Sequence, residues 1–297
     1  MRLRFGLLGT GRWAAEAHAP ALAAAPDAEL VGVWGRDPAK AAGLADRYGA
    51  RPYAAVDDLL AEVDAVAVAL PPDVQAPLAA RAAGAGRHLL LDKPLALDVA
   101  AADEVVTAAT DAGVASVVFF TNRFRAPVAD FLRDAVAAGG WDGGRATILA
   151  QVAGGPYGDS PWRAERGGLW DVGPHALSLL VPVLGPVRSV AAAVGPHATT
   201  HVLLGHAAGA VSTMTLSLAA PDAARTWEVV FVGRHGWASV PSGGDAVEAY
   251  RRAVAELART AVEGRTDHPC DVRFGREVVA VLAEAEAQSR GASADRR

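Results

Sequence analysis

The chain has 297 residues, 52% of them hydrophobic and 21% charged, with a formal net charge of -5. That length is more than one ordinary core needs and suits two, and the composition excludes a disordered chain. The mild acidity, with no basic run, leaves no footprint for nucleic acid.

One cysteine, Cys270, rules out an internal disulfide and a multi-cysteine metal cage, and it fits a reducing, cytoplasmic setting. No membrane segment is expected. Met1-Arg2-Leu3-Arg4-Phe5 is similar to the basic end of a leader, but Gly6, Gly9 and Gly11 break the apolar run, and Leu177–Val187 is interrupted by Pro182 and Gly185. Lysine occurs only at Lys40 and Lys93 against a large excess of arginine, so each lysine stands out.

In chain order, the pattern predicts strand at Phe5–Leu8, helix at Trp13–Ala25, strand at Leu30–Trp34 and helix at Pro38–Tyr48. It continues with strand at Ala65–Leu70, helix at Val74–Ala85, strand at His88–Leu91, helix at Val99–Ala112 and strand at Ser116–Phe120. Short, wholly apolar strands alternating with helices specify a doubly wound parallel sheet covered on both faces. After a helix at about Pro127–Ala138 the character changes. Ala146–Val152, Val187–Val194, Thr200–Leu204, Ala210–Leu218 and Thr226–Val232 read as a mostly antiparallel set, with helices resuming at Ala246–Val262 and Gly275–Ala287. The expected organisation is α/β: a Rossmann-type domain over residues 1–120, then an α+β domain over 121–297 built on an open sheet, with substrate-binding and oligomerisation roles.

Gly9-Thr10-Gly11-Arg12-Trp13-Ala14 follows the first strand and opens the first helix. Gly9 allows a tight turn, Gly11 lets backbone approach a pyrophosphate, and Ala14 allows close helix–strand packing. The N–H groups at the helix start then face the phosphates. The second strand ends in Trp34-Gly35-Arg36-Asp37, where NAD-binding domains place a carboxylate for the ribose 2′-hydroxyl. With Gly35 in that place nothing repels a 2′-phosphate and Arg36 pairs with it, which favours NADP. With the register shifted by two, Asp37 supplies the acid and NAD is the cofactor. Lys40, one turn on, is either a second contact for the 2′-phosphate or, the plainer reading, a solvated helix lysine.

Leu91-Asp92-Lys93-Pro94 falls at the carboxyl edge of the predicted parallel sheet, where such domains bind ligands. Lys93 is either a surface lysine before a helix or a group for acid/base or orienting work. In Gly167-Gly168-Leu169-Trp170-Asp171-Val172-Gly173-Pro174-His175, a helix over Pro174–Leu184 puts Asp171 about one turn ahead of His175. A carboxylate beside a histidine suits a proton shuttle, while the plainer reading makes Asp171 a helix cap and His175 a packed side chain. His88, His201 and His235 lack such neighbours and read as structural.

With these motifs in order, the chain resembles the Gfo/Idh/MocA oxidoreductases, the group of glucose–fructose oxidoreductase and inositol 2-dehydrogenase. The resemblance runs from Gly6 to about Ser289: a glycine turn at Gly9–Ala14, the Glu-Lys-Pro signature as Asp92-Lys93-Pro94, Asn122-Arg123-Phe124, Trp162-Arg163, and Asp-x-Gly-x-His at Asp171–His175. It implies hydride transfer between a nicotinamide and a carbinol or ketone carbon of a sugar, deoxysugar or cyclitol. Lys93 would stabilise the reacting oxygen, and His175, oriented by Asp171, would exchange the proton. Leu70, Pro71 and Asp92 would join Gly9, Thr10, Gly11, Arg12, Trp13, Gly35, Arg36 and Lys93 on the cofactor side, and Asn122, Arg123, Trp162 and Arg163 would line the substrate side. For Trp162 a core-aromatic role fits equally.

The chain departs from the pattern at Asp92 for Glu, at Pro72 and Gln75 where relatives often carry Asn and His, and at Ser178 where Asp is common. No metal ligand set is expected, and a homodimer or homotetramer through the second sheet is. Two other classes share this scaffold: a dinucleotide-sensing protein without turnover and a glycosidase that uses the nicotinamide transiently.

Overall fold

In a computed structural model the described residues are 2–294 apart from 153, 156, 157 and 159. The first sheet contains β1 (Leu3–Leu8), β2 (Ala28–Trp34), β3 (Arg51–Tyr53), β4 (Ala65–Val68), β5 (His88–Asp92) and β6 (Ser116–Phe119). Its order is β3-β2-β1-β4-β5-β6 with every neighbouring pair parallel, the doubly wound arrangement expected. Its helices are a run over residues 12–24 that ends in α1 (Ala19–Ala24), then α2 (Pro38–Arg47), α3 (Val56–Glu62), α4 (Pro72–Gly84) and α5 (Val99–Asp111). β4 is apolar and fully buried along its whole length, as a strand covered on both faces must be. β3 and α3 have no counterpart in the sequence reading: a three-residue strand is too short to display a period, and the seven residues of α3 make only about two helical turns.

The first helical run holds a π turn at Ala14–His18, where the Ala19 N–H bonds back to the Ala14 carbonyl. Pro20 accounts for it: proline offers no N–H to the carbonyl four residues back and its ring crowds that group, so the wider turn makes room.

The second unit contains α6 (Ala126–Ala138), β7 (Trp141–Leu149), α7 (Pro161–Asp171), α8 (Gly173–Leu184), β8 (Val187–Val194), β9 (Thr200–His206), β10 (Val211–Ser217), β11 (Thr226–Gly233) and β12 (Gly236–Ser239). Its sheet runs β12-β11-β7-β10-β9-β8, antiparallel except where β10 lies parallel to β7. β7 begins five residues before the predicted Ala146 and passes straight through Gly143 and Gly144. These glycines are not turn residues: a Cβ on Gly143 would lie 2.3 Å from the Val211 carbonyl oxygen, and one on Gly144 3.0 Å from the Leu180 side chain on α8. On the face opposite the helices, Leu203 and Val211 are exposed and Trp237 is 70% exposed.

Two further helices complete the chain, α9 (Ala246–Val262) and α10 (Val272–Ala294). Residues 244–277 belong to the first unit together with residues up to Arg125, and 126–243 with 278 onward form the second. A single boundary at residue 120 does not describe this return. Its cause is the apolar face of α9, where Ala249, Tyr250, Ala253, Val254 and Leu257 are fully buried and pack on α1, β5 and β6.

Candidate active site

Strand register builds the carboxyl edge of the first sheet. Leu8 pairs with Trp34 and Val68, Val68 with Leu91, and Asp92 with Phe119, so Gly9, Gly35, Ala69, Asp92 and Phe120 line up one residue beyond the paired strands or at their ends. Gly9 sits at φ +127° with its N–H bonded to the Trp34 carbonyl, and a Cβ there would lie 2.4 Å from the Ala69 carbonyl oxygen. Only glycine fits. Gly11 is different: a Cβ there would meet nothing within 4 Å, so the fold itself places no demand for glycine at the helix start. Open ground beside unused helix N–H groups is what the pyrophosphate of a dinucleotide needs, and the residues present fit that group. Thr10 packs against Gly35, where a Cβ would approach its Cγ2 to 2.6 Å. Arg12 reaches along its own helix to Glu16 at 2.9 Å, Trp13 is half-buried, and Leu70 and Pro71 lie between β4 and α4.

Beyond β2, Arg36 is exposed and has no ion-pair partner among the described residues. Asp37 caps α2, its Oδ1 accepting the Ala39 and Lys40 N–H groups while Oδ2 lies 4.0 Å from Lys40 Nζ. That cap accounts for Asp37 by local structure.

The Asp92-Lys93-Pro94 turn is clamped by Gln75, a fully buried side chain on α4. Its Oε1 accepts the Asp92 N–H at 2.8 Å, and its Nε2 donates to the carbonyls of Asp92 at 2.8 Å, Pro94 at 3.1 Å and Leu95 at 3.3 Å. Asp92 Oδ1 in turn accepts the Lys93 N–H at 2.9 Å. Sequence reasoning noted Gln75 only as a departure from the family pattern. Gln75→Leu is expected to lower stability by about 2–4 kcal/mol, since a buried polar group stripped of its partner costs roughly 1–3 kcal/mol. A fall in the urea midpoint at unchanged slope would show it.

Asn122 and Arg123 form a single 3₁₀ turn with Thr121 and Phe124 directly after β6, so they sit at this same sheet edge and within the first unit. Phe124 stacks on His268, and Asn122 is buried.

A side chain that the sequence reading passed over lies beneath the edge. His18 is completely buried, with Nε2 3.7 Å from Asp92 Oδ2, its ring centroid 4.1 Å from that of Tyr250 and 6.3 Å from that of Trp13. Burial and the nearby Asp92 charge push the Tyr250 hydroxyl well above its ordinary pKa, so it stays neutral. The signal was present as a histidine on the buried stripe Ala14, Ala17, His18, Ala21, Leu22.

In the second unit, α7 bends at Gly167, where φ is +64°. A Cβ on Gly168 would strike the Ser217 backbone at 2.8 Å, and one on Gly173 the Leu282 side chain at 2.8 Å. Close packing against β10 and α10 thus sets Asp171 at the end of α7, with half-buried His175 in the first turn of α8. Arg163 Nε pairs with Asp171 Oδ1 at 3.1 Å, and its guanidinium lies 4.5 Å over the buried Trp162 ring. Trp162, Arg163 and Asp171 therefore lie together within one unit, with Arg163 as a partner of Asp171, which the sequence reading paired with His175. Ser178 donates back to the His175 carbonyl at 2.9 Å, a bond internal to the helix.

Strand order, glycine turn and edge lysine define the first unit as a dinucleotide-binding Rossmann domain. Residues 3–120 match the model of an oxidoreductase family described as an NAD-binding Rossmann fold, and residues 143–239 match the GFO/IDH/MocA C-terminal domain. The chain belongs to the GFO/IDH/MocA family. It is 34% identical over 202 residues to dTDP-3,4-didehydro-2,6-dideoxy-alpha-D-glucose 3-reductase of Streptomyces antibioticus, a match covering 65% of this chain and 60% of that protein. It is 36% identical over 126 residues to inositol 2-dehydrogenase of Rhizobium meliloti (strain 1021), covering 42% of this chain and 38% of that one. The matches therefore span less than two thirds of these relatives. The crystal structure of GenD2 from gentamicin A biosynthesis in complex with NAD superposes with a TM-score of 0.84 at 25% identity, covering 97% of this chain and 94% of GenD2. No helix among the described residues is long and apolar enough to cross a membrane.

Proposed function

We propose that this chain is an NADP-dependent oxidoreductase that moves a hydride between the nicotinamide and a carbinol or ketone carbon of a sugar or deoxysugar. The observation that carries the reading is Lys93 at the carboxyl edge of the parallel sheet, in a turn clamped by Gln75 and in line with the Gly9 turn. The relatives' names, a reductase of a dTDP-linked deoxysugar and a dehydrogenase of a cyclitol, support the substrate class.

When bound, the dinucleotide supplies or accepts the hydride. The protein's part is electrostatic and protonic. Lys93 donates a hydrogen bond to the reacting oxygen and stabilises charge as it develops there. His175 exchanges the proton, with Asp171 orienting its ring while Arg163 holds one Asp171 oxygen. Asn122, Arg123, Trp162 and Arg163 contact substrate in the same proposal. Purified protein given NADPH and a dTDP-linked 3-keto-deoxysugar should oxidise the cofactor, read by absorbance. Tight NADPH binding without turnover of that sugar or of inositol would overturn the reading in favour of a sensor.

The choice of NADP over NAD rests on Arg36, exposed beside the buried Gly35, with Asp37 engaged as the α2 cap. A hydrogen bond to a charged group contributes about 1.5–3 kcal/mol, so Arg36→Ala should weaken NADPH about 10- to 100-fold and leave NADH nearly unchanged. Titration of both cofactors against the variant measures this, and equal losses would remove Arg36 from the 2′-phosphate.

A second copy of the chain is the partner we assign to the open sheet face, where Leu203, Val211 and Trp237 are exposed beside the Arg145–Glu228 ion pair. Light scattering should then report a dimer or tetramer, and Trp237→Glu should shift it toward monomer.

A further inference from the structure

We propose that His18 is a positioning residue for Lys93, acting through the Asp92 carboxylate; the inference rests on the catalytic reading of Lys93 above. His18 is 0% exposed, and neither ring nitrogen has a hydrogen-bond partner within 3.5 Å among the described residues. Such a group buried in an apolar wall is costly unless something compensates it. The charge it faces is Asp92 Oδ2, 3.7 Å from Nε2, within ion-pair reach. An unprotonated Nε2 would set a lone pair against a carboxylate, so the geometry assigns the ring proton to Nε2. The other Asp92 oxygen accepts the Lys93 backbone N–H at 2.9 Å, so the two oxygens link the buried imidazole to the lysine turn.

The surroundings hold this link in one orientation. Tyr250 from α9 lies against one side of the imidazole and Trp13 meets it edge-on, while Phe119 packs on Tyr250 at 4.7 Å between ring centroids. The π turn ending at His18 sets the helix register at this point, and such turns recur at functional sites. Gln75 fixes the backbone of the Asp92–Leu95 segment, and His18 fixes the carboxylate that caps the Lys93 N–H. In this arrangement, losing the imidazole donor frees the Asp92 side chain to turn toward solvent and lets the Lys93 backbone rotate. The loss therefore falls on the chemical step and not on cofactor binding.

Two substitutions separate positioning from packing. His18→Phe keeps a ring against Tyr250 and Trp13 but has no donor; His18→Gln keeps a donor near the Nε2 position. With NADPH and the dTDP-linked 3-keto-deoxysugar, His18→Phe should lower kcat about 10- to 100-fold, the scale seen for residues that orient site ligands, with the NADPH Kd within about threefold. His18→Gln should recover most of that loss. A fully active His18→Phe, or a His18→Gln as impaired as His18→Phe with matching loss of NADPH affinity, overturns the proposal.

If His18→Phe does not fold, ¹⁵N correlation spectra of the histidine rings in the unaltered full chain decide. They should show His18 protonated at Nε2, with signals that move in Asp92→Asn. An Nδ1-protonated ring, or signals indifferent to Asp92→Asn, overturns it. Lys93→Ala separates the two layers of argument. Full activity there defeats the catalytic reading and leaves the His18–Asp92 contact to the spectra, whereas an inactive Lys93→Ala beside a fully active His18→Phe defeats only this inference.

Discussion

Lys93→Ala is expected to lower turnover about 10²- to 10³-fold, the loss typical of deleting one preorganised donor to a developing oxyanion. Cofactor affinity should change little, because the proposed mode gives the pyrophosphate to backbone at the Gly9–Gly11 turn. The fold should tolerate the change. The Lys93 turn is held by backbone bonds to Gln75 and by the Asp92 carboxylate on the Lys93 N–H, all of which survive in alanine. A variant that binds NADPH normally, melts normally and turns over poorly is therefore the expected result. Unchanged kcat would remove Lys93 from the chemistry.

The two glycines of the first turn should fail in different ways when replaced. Gly9→Ala forces a Cβ to within 2.4 Å of the Ala69 carbonyl oxygen at a φ of +127°, so clash and strain combine. A destabilisation above about 2 kcal/mol is expected, at the upper end of ordinary single-site effects, with cofactor binding lost as the turn moves. Gly11→Ala adds a Cβ that touches nothing within 4 Å. Its melting temperature in the absence of cofactor should match the parent, since substitutions that disturb no packing fall within about 0.5 kcal/mol. On the proposed binding mode, cofactor affinity should nonetheless fall at least about tenfold, because the methyl group would occupy the ground over which backbone meets pyrophosphate. Calorimetry with and without NADPH reads both effects. A Gly11→Ala variant with parental affinity would place the dinucleotide elsewhere.

What the sequence determined by itself was everything with a local cause. Gly9 through Ala14 between a strand and a helix, the apolar strands of a sheet covered on both faces, and a lysine at the end of β5 are legible because turn chemistry and hydrophobic period act over a few residues. The same locality explains the gaps: β3 is three residues long, and the start of β7 through Gly143 and Gly144 is not legible because the neighbours that fill the space beside them, Val211 and Leu180, are remote in the chain.

Tertiary structure alone decided which polar groups meet. Gln75 reaches Asp92 because α4 packs beside β5, Asp171 meets Arg163 because α7 bends at Gly167, and His18 meets Tyr250 because α9 returns to the first unit. A polar side chain on a buried helix stripe announces only that a partner is needed. Strand register and helix packing choose the partner, and those are properties of the folded chain.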